Sequence, residues 1–167
     1  MTFDDHISVV PVDHGSHVEV LAEYACRVTQ MHGTGLPSCM IREYGCGFWS
    51  TPMLRGISTA TGCGFWSEET DEGWAHKFLK YGTHFVRQNC EYRAPTEEER
   101  AYLVFIDCNP PEERMRLLLA WQDHADFIIC HDANHAIYKW DFSSFKYKRI
   151  YKTGDFHTAV LSMEYEV

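Results

Sequence analysis

The spacing of apolar residues along the chain predicts three helices. Apolar positions recur every three or four residues over 17–31, which places them on one face of a helix. The same spacing over 73–81, with acidic residues at its N-terminal end, predicts a second helix. A third helix begins at Pro110, because proline is favoured in a first helical turn and acidic residues follow it.

Short apolar runs bounded by turn residues predict the strands. They cover 7–12, 83–93, 102–108, 126–130, 136–140, 146–152 and 158–167. In the second half, the order is strand, strand, helix, strand and then antiparallel strands. We therefore expect an α+β fold, a ferredoxin-like α/β sandwich in which a mainly antiparallel sheet carries helices on one face.

The length of the chain indicates one domain. A chain of 167 residues is long enough to bury a core without disulfides or a structural metal. We expect a single domain over 1–167, in which 83–167 forms a sheet core containing a βαβ unit. The segment 36–67 is interpreted as a long aromatic-rich connection or hairpin.

The hexapeptide Gly-Cys-Gly-Phe-Trp-Ser occurs twice, at 45–50 and at 62–67. Two copies are too few and too closely spaced for a solenoid, so we expect two similar strands or turns brought together. Trp49 and Trp66 would then form a stacking platform for a purine or a similar ring. The alternative is that the aromatic side chains of both copies fill the core.

The charge of the chain constrains its partners. The formal net charge is −9 and the pI is about 5.5, so the field of the protein would repel polyanions. This disfavours nucleic acid and anionic membranes, and it suits a basic protein partner. Basic residues concentrate among aromatic residues over 138–152. That stretch either contacts a phosphate or carboxylate ligand or forms a solvated strand face.

Two features indicate a reducing, cytoplasmic location. No apolar run approaches the roughly 20 residues that cross a bilayer, and the N-terminus lacks the pattern of a signal peptide. The seven cysteines are odd in number and form no C-x-x-C pair. We interpret them as buried thiols rather than as disulfides or zinc ligands.

Known catalytic motifs are largely absent. The sequence contains no G-x-S-x-G elbow, Walker A loop, G-x-G-x-x-G or H-E-x-x-H. His131 and His135 have the spacing of two zinc ligands on a helix, but the local pattern is strand and turn. We therefore expect no metal site, and we expect no cofactor.

One local pattern resembles a known enzyme family. From Ala94-Pro-Thr-Glu-Glu98 to His135, the order and lengths of strand, helix and strand resemble the phage S-adenosylmethionine lyases. The resemblance implies a small ferredoxin-like trimer that cleaves S-adenosylmethionine at sites between subunits. It also implies that His135 lies beside the adenine and Asp141 near the ribose. The Glu and Tyr that the family uses would be Glu91 with Tyr92, or Glu69.

These observations leave several functions open. The first is a small acidic intracellular protein of the phage anti-defence or toxin-immunity type, which binds and neutralises a partner through its acidic clusters. The alternative is an enzyme or sequestering protein for an adenine-containing small molecule, in the lyase version a homo-oligomer that binds adenine between subunits. A structural subunit is a third hypothesis. The predicted catalytic residues are Glu69, Glu91 and Tyr92, and the predicted ligand-binding residues are Trp49, Trp66, His135 and Asp141.

Overall fold

The computed structural model describes residues 8–11, 17–32, 40–86, 91–153 and 155–167. The strands are β1 (Ser8–Pro11), β2 (Met40–Tyr44), β3 (Gly64–Glu69), β4 (Thr83–Phe85), β5 (Ala101–Ile106), β6 (Ala125–Cys130), β7 (Tyr147–Thr153) and β8 (Phe156–Ser162). The helices are α1 (His17–His32), α2 (Ser50–Thr61), α3 (Glu72–Phe78) and α4 (Pro111–Trp121), with short 3₁₀ helices at Leu79–Tyr81 and Ala136–Tyr138. Helices and strands alternate over much of the chain, which is the pattern of a parallel sheet.

All eight strands belong to one sheet, in the order β1-β7-β8-β6-β5-β2-β3-β4. Every neighbouring pair is parallel except the two pairs made by β8, which is antiparallel to β6 and to β7. Helices α2, α3 and α4 connect the parallel pairs β2–β3, β3–β4 and β5–β6. Such crossovers are required because a tight turn cannot join parallel strands.

Both faces of the sheet are buried. In β5, Leu103 and Phe105 belong to a core that includes α1 and α2, whereas Val104 and Ile106 belong to a second core that includes α4. Successive side chains of a strand point to opposite faces, so a continuous apolar run marks a strand that is covered on both sides. The helices therefore form a layer on each face of the sheet.

The predicted ferredoxin-like sandwich is wrong, because the sheet is mostly parallel and carries helices on both faces. The prediction failed because the sequence does not reveal the helix α2. This segment contains Pro52, Gly56 and several threonines, all poor helix formers. Pro52 is tolerated because it lies in the first turn, where backbone N–H groups have no partner within the helix. Without α2, the parallel crossover from β2 to β3 cannot be recognised in the sequence.

The other predicted elements differ mainly in extent. The helices α1, α3 and α4 and the strands β5 to β8 lie close to their predicted positions. The strand predicted over 83–93 is short, since β4 ends at Phe85 and 87–90 lie outside the described residues. The strand predicted over 136–140 is a 3₁₀ helix followed by an irregular segment. From residue 40 on, the segment 36–67 contains β2, α2 and most of β3, and these two strands are parallel.

Two findings bear on the predicted compartment. No helix among the described residues is long and apolar enough to cross a membrane. Cys46, Cys108 and Cys130 are free and buried, but Cys26 is exposed and Cys63 is disulfide-bonded. The interpretation of every cysteine as a buried thiol is therefore wrong for these last two residues.

The order of the strands reverses in the middle of the sheet. From β2 the chain continues to β3 and β4 on one side, and it then returns to β5 and β6 on the other side of β2. In open, doubly wound sheets of this Rossmann-like type, ligands bind outside the carboxyl ends of the strands at such a reversal. The ends of β2 and β5 therefore mark the position of a candidate site.

Candidate functional site

A cavity of about 1110 Å³ lies at the carboxyl edge of the sheet. Its lining comes from the segments that follow β2, β3, β4, β5 and β6, from the first turn of α4 and from Trp74 of α3. Cys46 and Gly47 follow β2, Thr70 follows β3, and Asp107 follows β5. The cavity therefore occupies the place where a doubly wound sheet is expected to hold its ligand.

Gly45, the first residue after β2, brings two of these segments into direct contact. It has a φ of +86°, and a Cβ at this position would lie 2.4 Å from the backbone oxygen of Asp107. The Gly45 N–H donates to the carbonyl of Glu68 over 2.9 Å, and the Asp107 N–H donates to the carbonyl of Tyr44 over 2.9 Å. Only glycine combines this conformation with so close an approach.

A buried carboxyl group lies beneath the glycine loop, which we define as Gly45-Cys46-Gly47. Glu43 of β2 is fully buried and accepts hydrogen bonds from the hydroxyls of Thr51 (2.8 Å) and Ser67 (2.7 Å). Thr51 in turn accepts from the Gly47 N–H over 2.9 Å. Burial raises the pKa of Glu43 to about 7. This chain of hydrogen bonds fixes the glycine loop to β2 and β3.

Glu69, the last residue of β3, contacts the glycine loop directly. One carboxylate oxygen accepts from the backbone N–H groups of Thr70 (2.7 Å) and Asp71 (3.0 Å). The other accepts from Cys46, over 3.2 Å from its N–H and 3.5 Å from its thiol. Burial, together with the Glu69 charge, raises the pKa of this thiol, so Cys46 stays protonated.

Arg114 of α4 joins the segments that follow β5 and β6. Its guanidinium is 3% exposed and donates to the carbonyl of Cys108 (2.7 Å), the carboxylate of Asp107 (2.9 Å) and the carbonyl of His131 (3.2 Å). It also lies 3.9 Å from the centre of the Tyr138 ring. One buried cation therefore holds this side of the cavity together.

His131 lies between two carboxylates at the end of β6. Its Nδ1 is 3.3 Å from an oxygen of Asp107 and 3.2 Å from an oxygen of Asp132. Burial opposes protonation, but the hydrogen bonds with both carboxylates raise the pKa of His131 to about 9. The ligand atoms of these three residues lie within 4.8 Å of one another, as in a metal site. The imidazolium and the Arg114 guanidinium already balance the two carboxylates, so the arrangement does not require a metal.

The lining of the cavity is strongly acidic. Seven carboxylates contribute to it: Glu69, Asp71, Glu91, Asp107, Glu112, Glu113 and Asp132. Among the described residues that line it, Arg114 is the one side chain with a positive charge. The cavity therefore favours a ligand that carries positive charge and disfavours a phosphate.

The three residues predicted as catalytic all line this cavity, namely Glu69, Glu91 and Tyr92. Glu91 is exposed at its mouth, whereas Tyr92 is buried and shares a 3.2 Å hydrogen bond with the hydroxyl of Thr70. Burial raises the pKa of the Tyr92 phenol, so this side chain stays protonated. Their roles stay predictions.

The four residues predicted to bind a ligand do not line the cavity. Trp49 is 73% exposed before α2, and Trp66 of β3 stacks on the ring of His84 with centroids 3.9 Å apart. His135 stacks on Phe156, and the exposed Asp141 accepts from a nearby backbone N–H. The structure thus does not place these four residues around one ligand.

Sequence reasoning missed the glycine loop and Arg114. A signal for the loop was present, because Gly45 and Gly47 come just after the segment Met40–Tyr44 and the acidic Glu69 ends the next strand. The strict G-x-G-x-x-G template excluded it, since Ser50 stands where the template has its third glycine. Arg114 offered no local signal, because its partners come from other segments of the chain.

The strand order, the glycine loop and the position of the cavity define a Rossmann-like architecture. No known protein-family profile matches the sequence. No curated protein matches it either.

Solved structures of methyltransferases share this fold. The N-terminal domain of human METTL16 in complex with SAH is 14% identical, with a TM-score of 0.57 over 89% of this chain and 70% of that one. TrmK of M. capricolum, in complex with S-adenosyl-homocysteine, is 9% identical, with a TM-score of 0.54 over 91% and 70% of the two chains. The METTL16 MTase domain is 13% identical, with a TM-score of 0.53 over 89% and 67%. At these identities the likeness shows the fold, a Rossmann-like methyltransferase fold.

These neighbours overturn the predicted kinship and functions. The resemblance to the phage S-adenosylmethionine lyases is wrong, because structures with the same fold are methyltransferases. The anti-defence or immunity inhibitor and the lyase are wrong for the same reason. An adenine-containing small molecule, S-adenosyl-homocysteine, is bound in the METTL16 and TrmK complexes. The basic protein partner and the homo-oligomer stay predictions.

Proposed function

We propose that this chain is an S-adenosylmethionine-dependent methyltransferase that binds its cofactor in the acidic cavity. One observation carries the proposal. The glycine loop after β2 and Glu69 at the end of the neighbouring parallel strand line the same cavity, at the reversal of the strand order. In dinucleotide-binding sheets, a glycine loop and an acidic residue in these positions bind the nucleotide and its ribose hydroxyls.

The residues present fit an adenosine cofactor. The glycine loop lets the backbone approach a ligand closely, and the cavity volume is that of a small-molecule site. The Glu69 carboxylate is oriented by the N–H groups of Thr70 and Asp71. Its contacts with Cys46 are longer, and a ribose hydroxyl would replace the thiol contact of 3.5 Å. Glu69 is thus the expected ligand of the ribose.

The charge of the cavity suits the reactive part of this cofactor. When bound, S-adenosylmethionine supplies a methyl group on a positively charged sulfur, which the surrounding carboxylates stabilise. The product, S-adenosyl-homocysteine, has lost that positive charge, so the cavity should hold it less tightly. The protonated thiol of Cys46 does not compete for the methyl group, because the thiolate is the reactive form.

Isothermal titration of the purified chain with S-adenosylmethionine and with S-adenosyl-homocysteine tests this proposal. We expect both to bind, and we expect Glu69→Gln to weaken both at least tenfold, since a charged hydrogen bond contributes about 1.5–3 kcal/mol. Glu98→Gln is the matched control, because this glutamate is exposed and lies outside the cavity lining. It should change neither affinity more than twofold.

The result that would remove the proposal is the absence of binding of both compounds to a folded wild-type chain. Circular dichroism establishes that the Glu69 variant is folded. If Glu69→Gln and Glu98→Gln changed the two affinities equally, Glu69 would not be a ligand of the cofactor, and its predicted role would have no support.

A further inference from the structure

We propose that the methyl acceptor is an amine that is protonated in solution, and that Glu91 and Glu112 hold it at the mouth of the cavity. This inference rests on the proposed methyltransferase function and assigns the class of its substrate. Two observations carry it: two cavity carboxylates without partners among the described residues, and an excess of negative charge in the lining.

Most of the seven carboxylates are engaged within the protein. Glu69 accepts from backbone N–H groups, and Asp71 accepts from the N–H of Trp74 over 2.7 Å. Glu113 receives both nitrogens of the Arg116 fork, at 2.9 and 2.7 Å. The remaining two engaged carboxylates, Asp107 and Asp132, contact Arg114 and His131.

Glu91 and Glu112 differ from the other five. Both line the cavity, both are exposed, and neither has a hydrogen bond or an ion pair within the part of the chain that the structure describes. Arg116 interacts electrostatically with Glu91, but its guanidinium forms an ion pair with Glu113. Two carboxylates at one cavity mouth are therefore free to bind a ligand.

The charge balance of the cavity favours a cation as that ligand. Arg114 and His131 balance Asp107 and Asp132, and Arg116 balances Glu113, so four of the seven carboxylates have no cationic partner in the described ranges of the chain. The cofactor brings one positive charge on its sulfur. An excess of negative charge remains after the cofactor has bound. The chain as a whole carries −9, so its net charge has the same sign as the cavity. A phosphate-bearing acceptor would be repelled, and an ammonium group would be attracted.

Aromatic side chains of the cavity show the matching chemistry. The ammonium of Lys77 lies 4.1 Å from the centre of the Trp74 ring, and Trp74 lines the cavity. The guanidinium of Arg114 lies over Tyr138 in the same way. Phe48, which is 61% exposed and lies outside the lining, packs against Trp74 with centroids 5.1 Å apart. The rings of Trp74 and Tyr138 already hold cations of the protein, which shows that the lining accommodates positive charge and leaves the ammonium group of the substrate to Glu91 and Glu112.

The transfer step balances with this acceptor. The ammonium first loses a proton to a carboxylate, Glu112 or Glu91, which passes it to water. The lone pair of the neutral amine then forms the new N–C bond as the S–C bond breaks, and the electron pair of that bond stays on sulfur. The products are a methylammonium group, which carries the positive charge, and a neutral thioether.

The test is transfer of a labelled methyl group from S-adenosylmethionine by the full chain to four acceptors. They are 1,4-diaminobutane, a lysine-containing peptide, 1,4-butanediol and an RNA oligonucleotide. We expect label on an amine, with the two amines separating a free small molecule from a side-chain amine as its source. We expect none on the diol or the RNA, and a KM for the amine that rises with salt.

Variants locate the acceptor site. Glu91→Gln combined with Glu112→Gln should raise the KM for the amine at least tenfold and leave the Kd of S-adenosylmethionine within twofold. Glu98→Gln is the matched control and should change neither. Label on the RNA, label on no amine despite bound cofactor, or an unchanged KM in the double variant would overturn this inference. Failure of the chain to bind S-adenosylmethionine would instead overturn the proposed function beneath it.

Discussion

Replacing Gly45 by alanine tests whether the contact between the segments after β2 and β5 builds the site. The left-handed conformation that Gly45 adopts costs a residue with a side chain about 1–2 kcal/mol. The new Cβ would also lie 2.4 Å from the oxygen and 2.7 Å from the carbonyl carbon of Asp107. These are backbone atoms, so no side-chain rotation can relieve the collision.

The collision can be relieved only if the segments after β2 and β5 move apart. Separation endangers two backbone hydrogen bonds, from the Gly45 N–H to Glu68 and from the Asp107 N–H to Tyr44. At about 1 kcal/mol each, their loss brings the total to about 3–4 kcal/mol. A domain has a stability of about 5–15 kcal/mol, so Gly45→Ala should remain folded but be clearly weakened.

Gly82 provides the matched control. Its φ is +85°, almost the same as that of Gly45, but a Cβ there would meet nothing within 4 Å. Gly82→Ala therefore carries the conformational cost without the collision. Urea denaturation should show that Gly45→Ala loses about 2 kcal/mol more than Gly82→Ala. Titration should show that only the Gly45 variant loses S-adenosylmethionine binding. Equal losses of stability, or full binding by the Gly45 variant, would refute the reasoning.

Three further predictions concern stability. Gly56→Ala should raise the urea midpoint through a gain of about 0.8–1 kcal/mol, because Gly56 lies within α2 and faces open space; an unchanged midpoint would contradict this. Arg114→Met should lower the free energy of unfolding by about 3–5 kcal/mol and weaken cofactor binding, because it leaves buried acceptors without a donor. Arg116 is more exposed, so Arg116→Met should lower the free energy of unfolding less in the same urea assay. The pKa of Glu43 is raised from 4.5 to about 7 on folding, so its contribution to stability is present below pH 4.5 and is lost as the pH rises through 7, by up to about 3 kcal/mol. Glu43→Gln should remove this decline between pH 4.5 and 8, and a parallel decline in both proteins would show that another group causes it.

The parts of the fold that the sequence predicts are those with strong local patterns. The helix α1 has an apolar face at helical spacing, and the apolar strands β5 and β6 lie on either side of α4. Parallel pairing is not local, because it depends on which strand lies beside which. The antiparallel strands expected near the end of the chain are present as β7 and β8, whereas β5 and β6, on either side of α4, pair in parallel.

The candidate site was partly predictable for a similar reason. Glu69 ends an acidic and aromatic segment, so its residue type drew attention to it, although the kinship that suggested a role is wrong. In the sequence, Arg114 looks like any other charged residue of an amphipathic helix. Only its burial against Cys108 and His131 distinguishes it from the other charged residues of α4. The need for glycine at position 45 arises from Asp107, which is remote in the sequence and adjacent in the sheet.

The repeated hexapeptide shows how far local sequence determines structure in this chain. The first glycine of each copy ends an element in a left-handed conformation, with φ of +86° at Gly45 and +76° at Gly62. The copies then diverge, since Ser50 begins α2, whereas Ser67 lies inside β3 and hydrogen-bonds to Glu43. The two identical hexapeptides thus have the same left-handed conformation at their first glycine and different secondary structure after it. Because the first copy follows a strand at the reversal of the sheet, its Cys46 and Gly47 line the cofactor cavity that we propose. Because the second copy follows a helix, its residues build the neighbouring strand that ends in Glu69.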